Sequence, residues 1–347
     1  MSSIKYPEKK FLLNYDLSFD FFEEIGINVL DITPLRKVFL LKTDNSKLIL
    51  KYIDYDEEKL KFVITCIEEL SKKYKNIVSL IKFKNGRHYV KWKNKKYIVM
   101  KLIEGREATF TNILELKKCT EELAKMHLAS KEILPMIKEK FNKDINSIKN
   151  LSLKERFRLS LNNMEFLRYS VSKFKYKNEF DELFLGGAED YIKDIKYAKD
   201  LLNTEKYDIY ENNTNNISIC HNDLASHNFL INDEKVCIID FEYVTIDFSI
   251  IDLGDILLKG IKNAAFDFEK CIEIINSYCA IIPLSKMDYR LLYIIILYPR
   301  DICSIVRSYY LKEKEWEYEV FLDRFRDKVE NEIFRREFLI EYKKKFL

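Results

Sequence analysis

Residues 217–243 constrain this chain more than any other stretch. They begin Ile-Ser-Ile-Cys-His-Asn-Asp-Leu-Ala-Ser-His-Asn-Phe-Leu-Ile and end Ile-Ile-Asp-Phe-Glu-Tyr after six further residues. An apolar run delivers His221 and Asp223. Asn228 follows five residues after Asp223, then Phe-Leu-Ile. A polar turn from Asn232 to Lys235 leads into Val236 to Ile239, which ends at Asp240. The pattern predicts strand, acidic loop, strand, turn, strand, acid, with three oxygen-bearing side chains at the ends of paired strands. Such a set suits one base and two hard-metal ligands beside a nucleotide phosphate. For any one of these residues the alternative is a polar turn capped by Asp or Asn. The ordered set with apolar strands between them favours chemistry.

Elsewhere the chain separates into two regimes. Residues 1–28 predict an entry helix around Leu17 to Ile25. Strands follow at Val29 to Thr33 and Val38 to Thr43, flanking a Pro-Leu-Arg-Lys turn, and Asp44-Asn45-Ser46 turns the chain into Lys47 to Ile53. Leu60, Val63, Ile64, Ile67 and Leu70 fall on one face of a helix over 56–74. Strands at Arg87 to Trp92 and Tyr97 to Ile103 are joined by Lys93 to Lys96. From 112 onward helical spacing dominates, with helices at 153–175 and 178–203 and a polar loop from Glu211 to Asn216. Helices resume at 250–262, 263–281, 286–312 and 315–345; in the last, Phe321, Phe325, Val329 and Ile333 recur every four residues. The expectation is a small β-rich part over 1–103 and a large helical part over 104–347.

Composition narrows the function classes. The 59 basic and 56 acidic residues nearly cancel, so nothing in the charge demands nucleic acid or a membrane surface. The seven cysteines, at 66, 119, 220, 237, 271, 279 and 303, form no Cys-x-x-Cys pair and suit a reducing compartment. No apolar run reaches the length of a membrane span and the N-terminus has no signal-type core. Synthesis in the cytoplasm is the expectation.

The segment His221-Asn222-Asp223-Leu224 to Asn228, with Ile239-Asp240-Phe241-Glu242, resembles the kinase-like phosphotransferases, the superfamily of aminoglycoside phosphotransferases and choline kinases. Within it, Ile103-Glu104-Gly105-Arg106-Glu107, the helix Glu122 to His127, and Tyr243 with Ile251-Asp252-Leu253 look most like the spore-coat CotS family of endospore-forming bacteria. The resemblance spans about residues 20–340. It implies a protein-kinase-like α+β fold with a small β-rich N-lobe and a large mainly helical C-lobe. The implied cofactors are ATP and Mg²⁺, and the implied reaction moves the γ-phosphate to a small-molecule hydroxyl.

By the same resemblance, Asp223 is the base, Asn228 and Asp240 are metal ligands, and His221 braces the loop. Lys51, at the end of Leu48-Ile49-Leu50, looks like the lysine that contacts the α- and β-phosphates; an edge-strand lysine is the alternative. The helix at 56–74 is expected to carry its partner glutamate, with Glu57, Glu58, Glu68 and Glu69 available. Met100 to Ile103, including Leu102, would form a hinge whose backbone meets the adenine, with Gly105 permitting the turn. Asp252 would hold the catalytic loop. Glu242 is either a second acid near the metal or a surface residue. His127 reads as a packed core histidine and His227 as structural.

Three departures stand out. Asn222 replaces the usual glycine, the turn from Thr33 to Lys37 has no glycine, and no activation loop or Ala-Pro-Glu segment follows Asp240. The last argues against a protein kinase. The acceptor would lie toward residues 153–203, where Lys154, Arg156, Arg158 and Arg168 offer no acidic cluster for a cationic aminoglycoside. The competing reading is a catalytically weak scaffold protein of the spore coat, with other coat proteins as partners.

Overall fold

The computed structural model describes residues 17–35, 38–141, 151–233 and 235–347. They fall into two compact units. The first takes the described residues of Met1–Ala108, Ala129–Ile148 and Ser226–Val244; the second takes Thr109–Leu128, Lys149–Ala225 and Thr245–Leu347. Arg36 and Lys37 of the first predicted turn lie outside the described residues.

The first unit is built on a five-stranded antiparallel sheet. Its strands are β1 (Asp31–Leu35), β2 (Val38–Lys42), β3 (Lys47–Ile53), β4 (Tyr89–Trp92) and β5 (Lys95–Lys101), in the order β1-β2-β3-β5-β4. Alternation sends Leu41, Leu50, Tyr97 and Val99 to one face, where they pack with Phe21, Phe22 and Ile25 of helix α1 (Phe19–Ile25). Ile53 and Ile98 go to the other face and meet Leu60 and Ile64 of helix α2 (Glu57–Lys73). Asp56 caps α2 by accepting from the Lys59 amide at 2.8 Å. All five residues expected on its apolar face are buried. The β4–β5 connection is tighter than the expected four residues: Lys93 and Asn94 alone turn the chain, at φ 43° and 65°. Positive φ at both centres matches the right-handed strand twist, so the strands reach farther into the run.

A second, three-stranded sheet in this unit orders β6 (Arg106–Glu107), β8 (Phe229–Asn232) and β9 (Lys235–Ile238) as β6-β8-β9. Gly105 sits at φ 158°, and a Cβ there would lie 2.9 Å from the Ile231 carbonyl oxygen. That close approach of β6 to β8 is why the residue is glycine.

The second unit is mainly helical. It holds helices α4 (Leu153–Ser172), α5 (Glu179–Leu202), α6 (Glu205–Asn212), α7 (Ser249–Ile261), α8 (Phe268–Cys279), α9 (Lys286–Leu297), α10 (Arg300–Tyr310), α11 (Tyr318–Glu330) and α12 (Glu332–Phe346). Helix α3 (Ile113–Lys140) contributes residues to both units. Several predicted boundaries change. The helix expected over 286–312 divides at Pro299: proline disfavours α-helical backbone at the residue before it, and Tyr298 is extended at ψ 118°. The helix expected over 315–345 divides at Asn331, whose side chain donates to the Asp327 carbonyl at 2.7 Å. Ile333 thereby leaves the four-residue stripe and is 60% exposed. The helix expected from 263 starts at Phe268, capped by Asp267, after Ala265 and Phe266 turn at positive φ. The polar loop expected from Glu211 is instead the end of α6 and a 3₁₀ turn.

The strand before the acidic loop is also corrected. β7 (Ile217–Cys220) pairs with β10 (Thr245–Phe248), a strand the sequence reading omitted, and not with β8. Four-residue apolar runs carry no information about their partner. Among the described residues, no helix is long and apolar enough to cross a membrane.

Candidate active site

In the first unit, register places Lys51 opposite Val38 of β2 and Ile98 of β5. Its ammonium reaches Asp240 Oδ1 at 2.5 Å and Glu242 Oε2 at 2.8 Å, with the lysine side chain 11% exposed. Burial pulls the Lys51 pKa down, but the Asp240 and Glu242 carboxylates outweigh it and hold the pKa above its ordinary value. Lys51 is therefore no edge-strand lysine, and Glu242 is no free surface acid.

The expected lysine partner on α2 is absent. Glu57 accepts from Tyr89 and Lys91, Glu68 faces His88, and Glu69 takes Lys72. The carboxylate opposite Lys51 comes instead from the turn after Asp240. α2 ties itself to that turn differently: Lys59 donates to the Val244 carbonyl.

Asp240 follows β9 in left-handed backbone, φ 64° and ψ 68°. Asp tolerates this conformation better than most residues, and it marks a turn that aims the carboxylate. Asn228 ends the 3₁₀ turn Ser226–Asn228 and is 2% exposed. The Ile239 amide donates to the Asn228 carbonyl at 2.9 Å, so the two expected metal ligands lie at opposite ends of one short backbone link. A carboxylate and a carboxamide supply hard oxygens, the donor chemistry that Mg²⁺ takes. His227, beside Asn228, is exposed.

A cavity of about 210 Å³ lies within the same unit. Val38, Ile49, Ile98, Leu230 and Ile239 give it an apolar lining, and Lys51, Asp240 and Glu242 also border it. Met100, Lys101, Leu102 and Ile103 form part of the wall. The Lys101 and Leu102 amides donate to the Ser79 and Lys47 carbonyls at 2.9 and 3.3 Å, so the Leu102 amide is engaged; the Ile103 amide has no partner among the described residues. Apolar walls with a cation and two acids on one side fit a nucleotide base and its phosphates.

In the second unit, the loop after β7 hangs from Asp252 of α7. This fully buried carboxylate accepts from the His221 amide at 2.6 Å and the Asn222 amide at 2.9 Å, and lies 3.1 Å from His127 Nε2. His127, also fully buried, meets Tyr278 Oη through Nδ1 at 2.7 Å. Asn222 adopts φ 63°, and its Nδ2 donates to Thr245 Oγ1 at 2.7 Å. The position where the resemblance expects a glycine is thus filled by an asparagine in left-handed backbone whose side chain adds a bond. The Asp223 amide donates to His221 Nδ1 at 3.3 Å. Asp223 Oδ1 accepts from Lys259 at 2.8 Å, and Lys259 also holds Asp255 at 2.8 Å.

Lys259 and Asp255 went unread in the sequence. The signal was there: Asp252, Asp255 and Lys259 stand at i, i+3 and i+7 and share one face of α7. Asp255 also accepts from the Leu224 amide and from Arg300.

A family model described as "Spore coat putative kinase YutH" matches residues 21–342. The chain belongs to this spore-coat family. Spore coat protein S of Bacillus subtilis (strain 168) is 22% identical over 282 residues, covering 81% of this chain and 79% of that protein. Among solved structures, an aminoglycoside phosphotransferase from Alicyclobacillus acidocaldarius is similar at a TM-score of 0.79 and 15% identity, over 99% of this chain and 98% of that one. A spectinomycin phosphotransferase solved with ADP and spectinomycin is similar at 0.64 and 14% identity, over 91% and 97%. The fold of this spore-coat family member is therefore kinase-like and α+β, a small antiparallel β part and a large helical part.

Proposed function

We propose that this spore-coat family member is an ATP- and Mg²⁺-dependent phosphotransferase acting on a hydroxyl of a small molecule. The observation that carries the reading is the Lys51–Asp240–Glu242 cluster bordering an apolar cavity. In this reading the Ile103 amide and neighbouring backbone meet the base, and Lys51 aligns the α- and β-phosphates. Asn228 and Asp240 hold the metal, which would supply charge neutralisation at the phosphates. Asp223 takes the proton of the acceptor hydroxyl. That oxygen bonds to the γ-phosphorus, the bond from phosphorus to the bridging oxygen breaks, and ADP leaves. Association with the spore coat is the proposed setting, supported by the family and by its relative in Bacillus subtilis.

The test is the melting temperature with and without Mg·ATP, in the parent and in Asp240→Asn. Asparagine accepts left-handed backbone and removes only the charge. A ligand bound to the folded form alone at 100 times its Kd adds about 2.7 kcal/mol. The parent is expected to shift and Asp240→Asn to shift less. No shift at millimolar Mg·ATP overturns nucleotide binding and favours the scaffold reading, which the glycine-free turn from Thr33 supports. Asp223→Asn is expected to keep the parent's shift and lose transfer to any acceptor that the parent uses.

A further inference from the structure

The second unit contains a cavity of about 370 Å³ among α4, α9 and α10. Phe157, Met164, Leu167 and Ile295 line part of it. Arg156, Arg300 and Arg307 also line it, with Asn163 and Ser304, and among the described residues no aspartate or glutamate borders it.

The three guanidiniums have partners, yet none is saturated. Each has five N–H donors. Arg156 uses Nε on the Leu151 carbonyl at 2.6 Å and Nη2 on Asp247. Arg300 uses Nη1 on Asp255 at 2.7 Å and has Asp301 Oδ1 3.7 Å from its Nε, and Arg307 uses Nε on Glu313 at 3.0 Å. Beyond these contacts the three guanidiniums make no hydrogen bond to a described residue, and the carboxylates they pair with stand outside the described cavity lining. The Asn163 and Ser304 side chains make no hydrogen bond among the described residues.

Arg300 also connects the cavity wall to the catalytic loop. Arg300 to Asp255, Asp255 to Lys259 and Lys259 to Asp223 are consecutive contacts of 2.7, 2.8 and 2.8 Å. One ion-pair chain therefore fixes both the base and an arginine of the cavity.

We propose that this cavity is the acceptor site and takes a polyhydroxyl compound with an apolar substituent and one anionic group. The inference rests on the phosphotransferase reading above and names its acceptor class; the bonds made and broken are those given there. The apolar wall packs the substituent, the spare guanidinium donors take the anion in planar pairs, and Asn163 and Ser304 are free for hydroxyls. A polycationic acceptor would bring ammonium groups against three arginines with no carboxylate in the described lining, which disfavours it.

The experiment is isothermal titration calorimetry on the full chain without nucleotide. The probes are phenyl β-glucuronide, phenyl β-glucoside and kanamycin. Saturable binding of the glucuronide is expected, with the neutral glucoside weaker by about tenfold, the size of one lost charge-assisted contact, and kanamycin silent. Arg307→Gln, at an exposed side chain, is expected to weaken the glucuronide by about tenfold and leave the glucoside and the melting temperature unchanged. Absent glucuronide binding at millimolar concentration, equal binding of glucoside and glucuronide, tighter binding of kanamycin, or an indifferent Arg307→Gln each overturns the proposal. The Mg·ATP shift on the same sample separates the two claims. Its presence with no glucuronide binding removes the acceptor site alone; its absence removes the phosphotransferase reading.

Discussion

At the scale of single residues, buried polar groups here are placed to hold backbone. Asp252 contributes both carboxylate oxygens to a loop that would otherwise leave a buried and a part-buried amide unpaired, at about 1–3 kcal/mol for the buried one. Asn222 is the adjoining case. Its left-handed backbone costs most side chains about 1–2 kcal/mol, and its bond to Thr245 adds about 1 kcal/mol. Asn222→Ala is therefore expected to lose about 2 kcal/mol in urea unfolding, from the strain and the bond together. Asn222→Gly relieves the strain and loses only the bond, so it should be the milder change. If the alanine variant matches the glycine variant, the backbone argument fails. Asp223, Asn228 and Asp240 were legible as candidates from type and order. The partners of Lys51 were not, because Glu242 follows Lys51 by 191 residues and only the fold closes that distance.

Among the elements, helices were far easier to read than strands. α2 declared itself through five apolar residues at helical spacing, and all five are buried. Caps mark starts just as locally. Asn178 and Asp181 form a reciprocal capping box at α5, and Asn178 also donates to Tyr309 at 2.8 Å. Asn178→Ala should cost about 1–2 kcal/mol of stability, seen as a lower urea midpoint at unchanged m-value. A change within error would show that the neighbouring packing alone starts the helix. Strands were legible as apolar runs, but β7's partner was not: β10 is four residues of mixed character, recognisable as a strand only once Ile217 to Cys220 lies beside it. The split at Pro299 was only half readable, since proline disfavours helix at the residue before it but Pro135 sits inside α3 without ending it.

Across the whole molecule, charge that nearly cancels in the total is organised locally into ion-pair chains. Asp255 shows the pH consequence. Burial alone would raise its pKa, but Arg300 and Lys259 outweigh that and hold the carboxyl below 3.8. A depressed carboxylate stabilises the fold above its unfolded value, and that contribution is lost as pH falls through the folded value. Stability of the parent should therefore drop as pH decreases below about 3.8, the ordinary aspartate value. Asp255→Asn should be less stable at pH 7, by about 1.5–3 kcal/mol for the lost charge-assisted bonds to partly exposed Arg300 and Lys259, but flatter through the acid range. Urea unfolding from pH 7 to pH 3 checks both; a variant with the parent's acid slope would remove Asp255 from the account.

The sequence by itself determined the fold class and the chemical candidates, because apolar periodicity and the ordered spacing of Asp223, Asn228 and Asp240 are local properties. It also carried the family, through that segment and the residues around Glu104-Gly105. Only the tertiary structure decided which carboxylates face Lys51, that Lys259 holds Asp223, and that Arg156, Arg300 and Arg307 border one cavity with no acid among its described lining residues. Those contacts join residues far apart in the chain, and side-chain type alone does not say which distant partner a charge will meet.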